Sequence, residues 1–326
     1  MNRIFYFVLV STLLLLTGCG PAGDDVVATG RVEPLDSSDR LFLQVGNDAV
    51  DEPIYASVDV EPDGTFSARA DLEQPCEGLL IVVVREHGPV RSLPLYLEPG
   101  KQVEVHVMQQ RDDDGNLTLS PTFSGALKAE CELVDEGTAV DARQFDTFQA
   151  FRDSVDRVYA ARWERAQSIG NETFLSQYLA ASDSAKHHAQ LVGYVPHDAN
   201  LDSVDVAYRD YINALDFDNP VNEDALYQYL ITYGRHYQQS TRGGSATLPA
   251  LEELTRRCHN QQMLDRISTH LMYFFLMINT PYVETVWAKY QTICKDPNLI
   301  DHLRPRYEPR SRELEQSKNT NHEKRH

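Results

Sequence analysis

The hydrophobic pattern of this chain changes its period about one third of the way along. In the first part, apolar and polar residues alternate in short runs such as residues 103–108, and a period of two is typical of a strand with one buried face. Further along, apolar residues such as Phe148 and Phe151 recur every three to four positions, which is the spacing of an amphipathic helix. The pattern therefore predicts an α+β fold, with an antiparallel β sandwich at residues 26–125 followed by an α-helical bundle at residues 126–300.

Individual elements follow from the same pattern and from the turn residues between them. Strands are predicted at residues 26–32, 41–45, 54–60, 65–70, 79–85, 90–97, 102–108 and 117–123. Helices are predicted on the stripes within residues 148–158 and 264–278, and near residues 172–192, 203–215, 222–239, 248–258 and 283–295. The polar residues 128–143 predict a connector or a weakly held first helix, so we expect residues 24 to about 130 to fold alone. Residues 301–326 are polar without a period and predict a disordered tail or a frayed extension.

The first residues have the features of an export signal. Arg3 gives a positive start, residues 4–16 are almost entirely apolar, and the run ends in Leu16-Thr17-Gly18-Cys19. This ending resembles the lipobox of bacterial lipoproteins, in which the cysteine thiol receives a diacylglycerol. We therefore expect a signal peptide at residues 1–18, lipid on Cys19, a flexible tether at residues 19–25, and a folded part outside the cytoplasm. An ordinary signal peptide with an incidental cysteine is the alternative.

Charge and cysteine usage exclude some classes of function. The net charge of −19 argues against a nucleic-acid partner, because binding to phosphate backbones requires a basic surface. Beyond Cys19 the sequence contains Cys76, Cys131, Cys258 and Cys294, and none belongs to a CxxC motif. Four cysteines permit three disulfide pairings. Buried free thiols or one structural disulfide are both open, and we favour them over redox chemistry.

Two residue pairs suggest chemistry at first sight. His187 and His188, with His197 nearby, could bind a metal, but adjacent residues on a helix point about 100° apart and do not easily share one ion. Cys258 and His259 could form a thiolate–imidazole couple, but sequence neighbours on a helix do not face each other. A solvated helix face and a structural thiol are the interpretations that we favour.

Three further stretches have ordinary explanations. Residues 112–116 are acidic, but the twelfth position from Asp112 is Phe123 rather than the glutamate of a calcium-binding EF-hand, so a polar turn is favoured. Arg242-Gly243-Gly244 lacks the rest of a phosphate-binding motif and predicts a flexible connector. One helical segment carries four tyrosines and a histidine, which favour a buried core over a ligand surface. These residues are Tyr227, Tyr229, Tyr233, Tyr237 and His236.

Several short motifs occur in an order that resembles a known family. Four motifs follow the lipobox along the chain. They are Gly30-Arg31-Val32, the hairpin at residues 62–66, the run Tyr96-Leu97-Glu98-Pro99-Gly100-Lys101 and the motif at residues 216–220. In this order they resemble the front part of Gram-negative thioredoxin-like lipoproteins of the TlpA/ResA type. The resemblance implies an N-terminal β domain and a helical segment. The catalytic Trp-Cys-x-x-Cys of that family has no counterpart in this sequence, so its oxidoreductase activity does not carry over.

These observations leave two classes of function. The first is a non-catalytic lipoprotein of the cell envelope, anchored to the outer rather than the inner membrane, that binds a protein or a small molecule. The second is an accessory partner in thiol–disulfide exchange that works with a separately encoded thioredoxin-like protein. We expect no catalytic residue, no cofactor and no metal. A truncated relic without activity is a third, weaker alternative.

Overall fold

The computed structural model describes residues 25–47, 53–84, 90–111, 117–195, 200–241, 245–277 and 282–323. Two β-sheets come first along the chain and a region of helices follows, so the prediction of an α+β fold is confirmed. Within the described ranges, no helix is both long and apolar enough to cross a membrane. Cys19, the predicted signal peptide and nearly all of the predicted tether lie outside the described residues.

Nine strands occur in the described part of the chain. They are β1 (Val26–Glu33), β2 (Arg40–Asn47), β3 (Pro53–Tyr55), β4 (Ser57–Val60), β5 (Thr65–Arg69), β6 (Cys76–Val83), β7 (Val90–Leu97), β8 (Val103–Arg111) and β9 (Leu117–Ser124). Each predicted strand coincides with an observed one, except that residues 54–60 are divided into β3 and β4. The division lies at Ala56, whose amide donates to the carbonyl of Leu43 at 2.8 Å. Here the chain passes from one sheet to the other.

One sheet has the order β4-β5-β1-β8-β9 and the other the order β3-β2-β6-β7. The prediction of wholly antiparallel sheets is wrong at one ladder, because β1 and β8 run parallel, with Gly30 opposite Val105. Alternation of apolar residues indicates which face of a strand is buried but contains no information about strand direction. About 70 residues separate these two strands along the chain, so no hairpin turn fixes their relative direction.

Two glycines of the sequence motifs are required by close backbone approaches. A Cβ at Gly30 would collide with the carbonyl oxygen of Val105 on the parallel neighbour β8. Gly64 has a φ of +85°, and its carbonyl accepts a hydrogen bond from the amide of Val32 at 3.0 Å. Glycine adopts such a φ without the steric cost that other residues incur. These two motifs are therefore explained by the packing of β1.

The four outer strands of the described sheets are all poorly suited to further pairing. β3 and β4 have three and four residues, respectively. The other two outer strands each contain a proline, Pro94 in β7 and Pro121 in β9, and proline has no N–H to donate to a neighbouring strand. Short or proline-containing outer strands are a common protection against sheet extension.

The described residues divide into two compact units. The first contains the nine strands, helix α1 (Lys128–Asp135) and a segment from later in the chain, Glu164–Tyr178. Within this unit the buried ring of Tyr96 contacts the rings of Phe174 and Tyr178, with centroids 4.8 and 5.2 Å apart. The first unit therefore extends beyond residue 125, where we predicted the end of the β domain. Whether residues 24–130 fold alone stays a prediction.

The second unit contains Thr138–Trp163 and the described residues from Leu179 onward. Its helices begin with α2 (Phe148–Ile169), whose last turn and a half belongs to the first unit. The others are α3 (Ala180–Val192), α4 (Val206–Ala214), α5 (Glu223–Thr241), α6 (Thr247–Arg257), α7 (Gln261–Met277), α8 (Val283–Ile293) and α9 (Pro297–Glu323). The stripe predicted on α2 is confirmed, because Phe148, Phe151 and Val155 are buried in the core of this unit.

The structure differs from the predicted disordered tail at residues 301–323, and residues 324–326 lie outside the described part. Helix α9 runs from Pro297 to Glu323, and its first half carries an apolar stripe. Leu299 and Leu303 are buried, and Tyr307 stacks on Trp287 with ring centroids 4.4 Å apart. These residues recur every four positions, which places them on one helical face. The polar composition and the prolines of the segment obscured this short stripe in the sequence.

Candidate functional site

Some candidate residues of the sequence fall outside the part that the structure describes. They are Cys19, the acidic run at residues 112–116, His197 and the connector at residues 242–244. Predictions that concern them stay predictions. The remaining candidates can be placed.

The two adjacent histidines lie on α3 and contact different partners. His187 Nε2 lies 2.6 Å from the carboxylate of Asp156, and His188 Nδ1 lies 2.8 Å from the hydroxyl of Tyr211. Burial lowers the pKa of His188, and the neighbouring His187 and Arg152 lower that pKa further. No group of three or more histidine, cysteine, aspartate or glutamate side chains in the described ranges is arranged to hold a metal ion. The histidine pair thus consists of two separate contacts rather than one site.

Cys258 and His259 also do not form a couple. The Cys258 side chain is buried, and burial raises the pKa of its thiol to about 11. The His259 ring is exposed and lies 3.6 Å from the carboxylate of Asp218. That carboxylate accepts hydrogen bonds from the backbone amides of His259 and Asn260 at 2.5 and 2.7 Å, and these bonds lower its pKa. Asp218 belongs to the motif at residues 216–220. Through these hydrogen bonds the motif stabilises the turn between α6 and α7.

All four cysteines in the described ranges are free thiols. Burial raises the pKa of Cys76 to about 11 and that of Cys131 to about 12, and it also raises the pKa of Cys294. The thiolate rather than the thiol is the nucleophile in disulfide exchange. These side chains are therefore mostly protonated, unreactive groups at neutral pH.

The tyrosines of α5 are partly core and partly surface. The rings of Tyr229, Tyr233 and Tyr237 follow one another with centroids 5.8 and 5.6 Å apart. Tyr229 is buried and donates to Glu253 Oε1 at 3.4 Å, whereas Tyr237 is 47% exposed. The expectation of a buried core therefore holds for the inner end of this row and not for its outer end.

An open cavity of about 200 Å³ lies at the start of α5, and it was not among the predicted sites. The turn before this helix is a short 3₁₀ segment, Pro220–Asn222, held by a hydrogen bond from Asn222 Nδ2 to the carbonyl of Asp216 at 2.9 Å. α7 packs beside α5 and supplies the opposite wall. The cavity is lined by Ala185, Pro220, Val221, Glu223, Asp224, Arg266 and His270.

Arg266 and His270 both lie beside the carboxylate of Glu223 in this cavity. Arg266 Nε donates to Glu223 Oε1 at 2.9 Å, and His270 Nδ1 lies 3.9 Å from the same oxygen. Glu223 and His270 have side chains that are 14% and 13% exposed, whereas Arg266 is 44% exposed. Arg266 and His270 are four residues apart and share a helical face, which is a signal that the sequence does contain. The carboxylate that joins them is more than 40 residues away, so only the fold identifies it.

A second polar cluster lies within the first unit and contains two nearly buried glutamates. Asn171 Nδ2 lies 3.2 Å from Glu98 Oε2 and 2.6 Å from Glu130 Oε1. Tyr96 donates to Glu98 at 3.1 Å and Lys101 forms an ion pair with it at 2.7 Å. Burial acts to raise the pKa of Glu98, but hydrogen bonds from Lys101, Asn171 and Tyr96 together hold it below its usual value. The motif at residues 96–101 therefore has a structural explanation, since it fastens the segment around Asn171.

Comparison of the chain with models of protein families, with curated proteins and with solved structures finds no match. The resemblance to thioredoxin-like lipoproteins accordingly stays a prediction.

The two polar clusters differ in what they can do. Tyr96, Glu98 and Glu130 of the cluster around Glu98 are buried, and the hydrogen bonds of Glu98 and Glu130 come from other members of the cluster, which is the arrangement of a structural network. The cavity around Glu223 is open and carries an exposed guanidinium on a paired carboxylate. Converging polar groups in a concavity are the usual form of a small-molecule site. We therefore take this cavity, which we call the Glu223 pocket, as the candidate functional site.

Proposed function

We propose that this chain is a non-catalytic lipoprotein of the cell envelope that binds a small ligand in the Glu223 pocket. In this proposal, lipid on Cys19 anchors the chain to the outer membrane, the two sheets pack as a β sandwich, and the helices that follow along the chain form a bundle. The observation that carries the proposal is the open pocket, where Glu223 orients Arg266 through its Nε. An arginine held in this way is prepared for recognition, because less side-chain freedom is lost when a ligand binds.

Binding is favoured over chemistry by the state of the reactive groups. The thiols of Cys76, Cys131 and Cys258 have raised pKa values, and the thiolate rather than the thiol is the nucleophile. The Glu223 carboxylate is paired with Arg266, and the proposal assigns it the role of orienting that arginine. If the chain assists thiol–disulfide exchange, we expect it to contribute recognition rather than a reacting sulfur.

The ligand can be sought by purifying the lipidated protein from envelopes under mild conditions and recording native mass spectra. We expect a bound small molecule on the natural chain and little or none on Arg266→Gln. Arg304→Gln is the matched control, because Arg304 is a similarly exposed arginine paired with an aspartate, outside the pocket. Equal occupancy in all three proteins would contradict the proposal. Co-purification of a thioredoxin-like protein with all three would instead favour the accessory role.

Membrane anchoring has its own test. We expect the mature protein to begin at Cys19 with acyl chains attached, because two or more chains are needed for stable anchoring. Cys19→Ala should leave an unprocessed precursor or release the protein from membranes. Mass spectrometry of the N-terminus measures this directly. An unmodified N-terminus downstream of Cys19 would refute the anchor and leave the Glu223 pocket untouched.

A further inference from the structure

Helix α3 is joined to two of its neighbours by adjacent imidazoles. His187 Nε2 lies 2.6 Å from a carboxylate oxygen of Asp156 on α2, and His188 Nδ1 lies 2.8 Å from the hydroxyl of Tyr211 on α4. The rings of His188 and Tyr211 are also nearly parallel, with centroids 6.3 Å apart. Because histidine ordinarily changes its charge between about pH 5 and 8, both contacts are sensitive to pH.

The contact between His188 and Tyr211 suits a neutral imidazole. Burial raises the pKa of Tyr211 above its ordinary value, so the hydroxyl keeps its proton at neutral pH and donates it to Nδ1 of His188. A ring nitrogen accepts a hydrogen bond only while it carries no proton. Burial also lowers the pKa of His188, which agrees with a neutral ring at pH 7.

A proton on His188 has unfavourable neighbours. The His187 ring lies edge-on to the His188 ring, with centroids 5.5 Å apart, and Arg152 on α2 also disfavours a positive charge at this position. Asp156 is shared by His187 at 2.6 Å and by Arg152 at 3.8 Å. When both imidazoles are protonated, these residues place three positive charges around one carboxylate. Protonated Nδ1 can then no longer accept the hydrogen bond from Tyr211.

Both sides of this contact lead to walls of the Glu223 pocket. Ala185, which lines the pocket, lies three residues before His188 on α3, less than one helical turn away. Tyr211 lies on α4, and the chain runs from the end of α4 into the turn whose Pro220 and Val221 line the pocket. A displacement of α4 from α3 therefore changes the width of the pocket.

We infer that His188 is a pH-sensitive switch of the Glu223 pocket. While its ring is neutral, the hydrogen bond from Tyr211 holds α4 against α3. When the ring is protonated, α4 separates from α3 and the pocket opens. Protonation of a histidine at an interface is an established way to bias two arrangements of a protein. Release of a ligand on acidification rests on the proposed function, whereas the movement of α4 does not depend on it.

Hydrogen–deuterium exchange of the full lipidated chain in detergent tests the movement. Exchange of residues 206–224 is recorded between pH 7.5 and 5 and corrected for the intrinsic pH dependence of amide exchange. We expect exchange at least about tenfold faster at pH 5, because acid releases α4 from α3. Since folding lowers the pKa of His188, the contact is lost as the pH falls through that lowered value, below about 6.5.

Imidazole NMR signals give the pH at which His188 takes up its proton, and variants assign the effect to this ring. His188→Gln identifies the signal by its loss and should keep α4 equally protected at both ends of the pH range. Tyr211→Phe should move the titration of His188 to higher pH, because the neutral ring loses its donor. Melting curves show whether each variant is folded.

His106→Gln is the matched control. His106 is also a partly exposed histidine beside a carboxylate, 2.7 Å from Glu33, but it belongs to the first unit. The exchange of residues 206–224 in this variant should follow that of the natural chain at every pH.

The outcomes separate this inference from the proposed function. Exchange of α4 that does not change with pH, or that changes equally in the natural chain and in His188→Gln, would overturn the switch. A His188 titration that Tyr211→Phe leaves in place would overturn it as well. None of these measurements needs a ligand. Native mass spectra without a ligand that depends on Arg266 would therefore refute the proposed function alone.

Discussion

At the scale of single residues, burial decides what the ionisable groups of this protein can do. The thiol of Cys131 lies against the carbonyl of Tyr96 and has a raised pKa. Arg162 and Asp183 are also buried, but there each charge neutralises the other, with Arg162 Nε 3.1 and 3.0 Å from the two carboxylate oxygens. Two measurements follow from this contrast.

The first concerns thiol reactivity. A pKa of about 11 or 12 leaves at most about one thiol in a thousand ionised at pH 8, and Cys131 and Cys258 are also buried. In the native protein we therefore expect Cys76, Cys131 and Cys258 to react with iodoacetamide far more slowly than a thiol in a short peptide. In guanidinium chloride they should all react. Mass spectrometry of the peptides assigns each position. A thiol that reacts as fast in the native protein as in a short peptide would show that it is accessible to the reagent, which would contradict this prediction.

The second concerns the buried ion pair. Asp183→Asn removes the carboxylate that pairs with Arg162, whose side chain is 3% exposed. We expect the free energy of unfolding to fall by about 3–5 kcal/mol, the usual cost of breaking a buried pair. Asp301→Asn, which breaks an exposed pair with Arg304, should cost less than about 1 kcal/mol. Urea denaturation measures both, and similar losses in the two variants would contradict the burial of the first pair.

At the scale of elements, the sequence predicted the positions of strands and helices, which local patterns determine. It did not predict the contacts between segments that are distant along the chain. Strands and helices were located because alternation and helical spacing are read within a few residues. The parallel pairing of β1 with β8, the change of sheet at Ala56 and the attachment of Asn171 to Glu98 each join segments far apart in the sequence. The Glu223 pocket was missed for the same reason.

The attachment of Asn171 gives a prediction with a pH dependence. Asn171→Asp would place a third carboxylate beside Glu98 and Glu130, and we expect a loss of about 3 kcal/mol at pH 7. Crowding of like charges raises the pKa of this carboxyl group in the folded state above its unfolded value. The folded state then takes up a proton more readily, so the loss should shrink as the pH falls from 7 to 5.

Asn171→Ala is the matched control for this change. It removes the hydrogen bonds without adding a charge, so we expect a loss of about 1–3 kcal/mol that changes little over the same pH range relative to the natural chain. Denaturant titrations at pH 5, 6 and 7 compare the two variants. A loss for Asn171→Asp that is constant or grows towards pH 5 would show that the glutamates are not close to this side chain.

At the scale of the whole molecule, the first unit is not continuous in sequence. It contains the described residues up to Gly137 and then Glu164–Tyr178, in which the rings of Phe174 and Tyr178 contact Tyr96. A chain cut after α1 would expose Tyr96 and leave Glu98 without its bond from Asn171. The expectation that the β part folds alone can therefore be made more specific.

We expect a fragment of residues 25–137 to fold with β-type circular dichroism but to melt at a low temperature. A synthetic peptide of residues 164–179 should raise this melting temperature in proportion to the logarithm of its concentration, because it binds only the folded fragment. The same peptide with Asn171→Asp should have a much smaller effect at pH 7. If the peptide has no effect at millimolar concentration, residues 164–178 are not part of the folding unit of the sheets.

The proline-containing outer strands have a consequence for a chain that we propose to be held on a membrane. Lipid-anchored copies diffuse in two dimensions, and confinement to a surface brings neighbours together far more often than dilution in a three-dimensional compartment. At such a local concentration, one unprotected outer strand could pair with the outer strand of a neighbouring copy and start an intermolecular β-sheet. With Pro94 and Pro121 in the long outer strands and only three or four residues in the others, neighbouring copies can collide repeatedly and still separate.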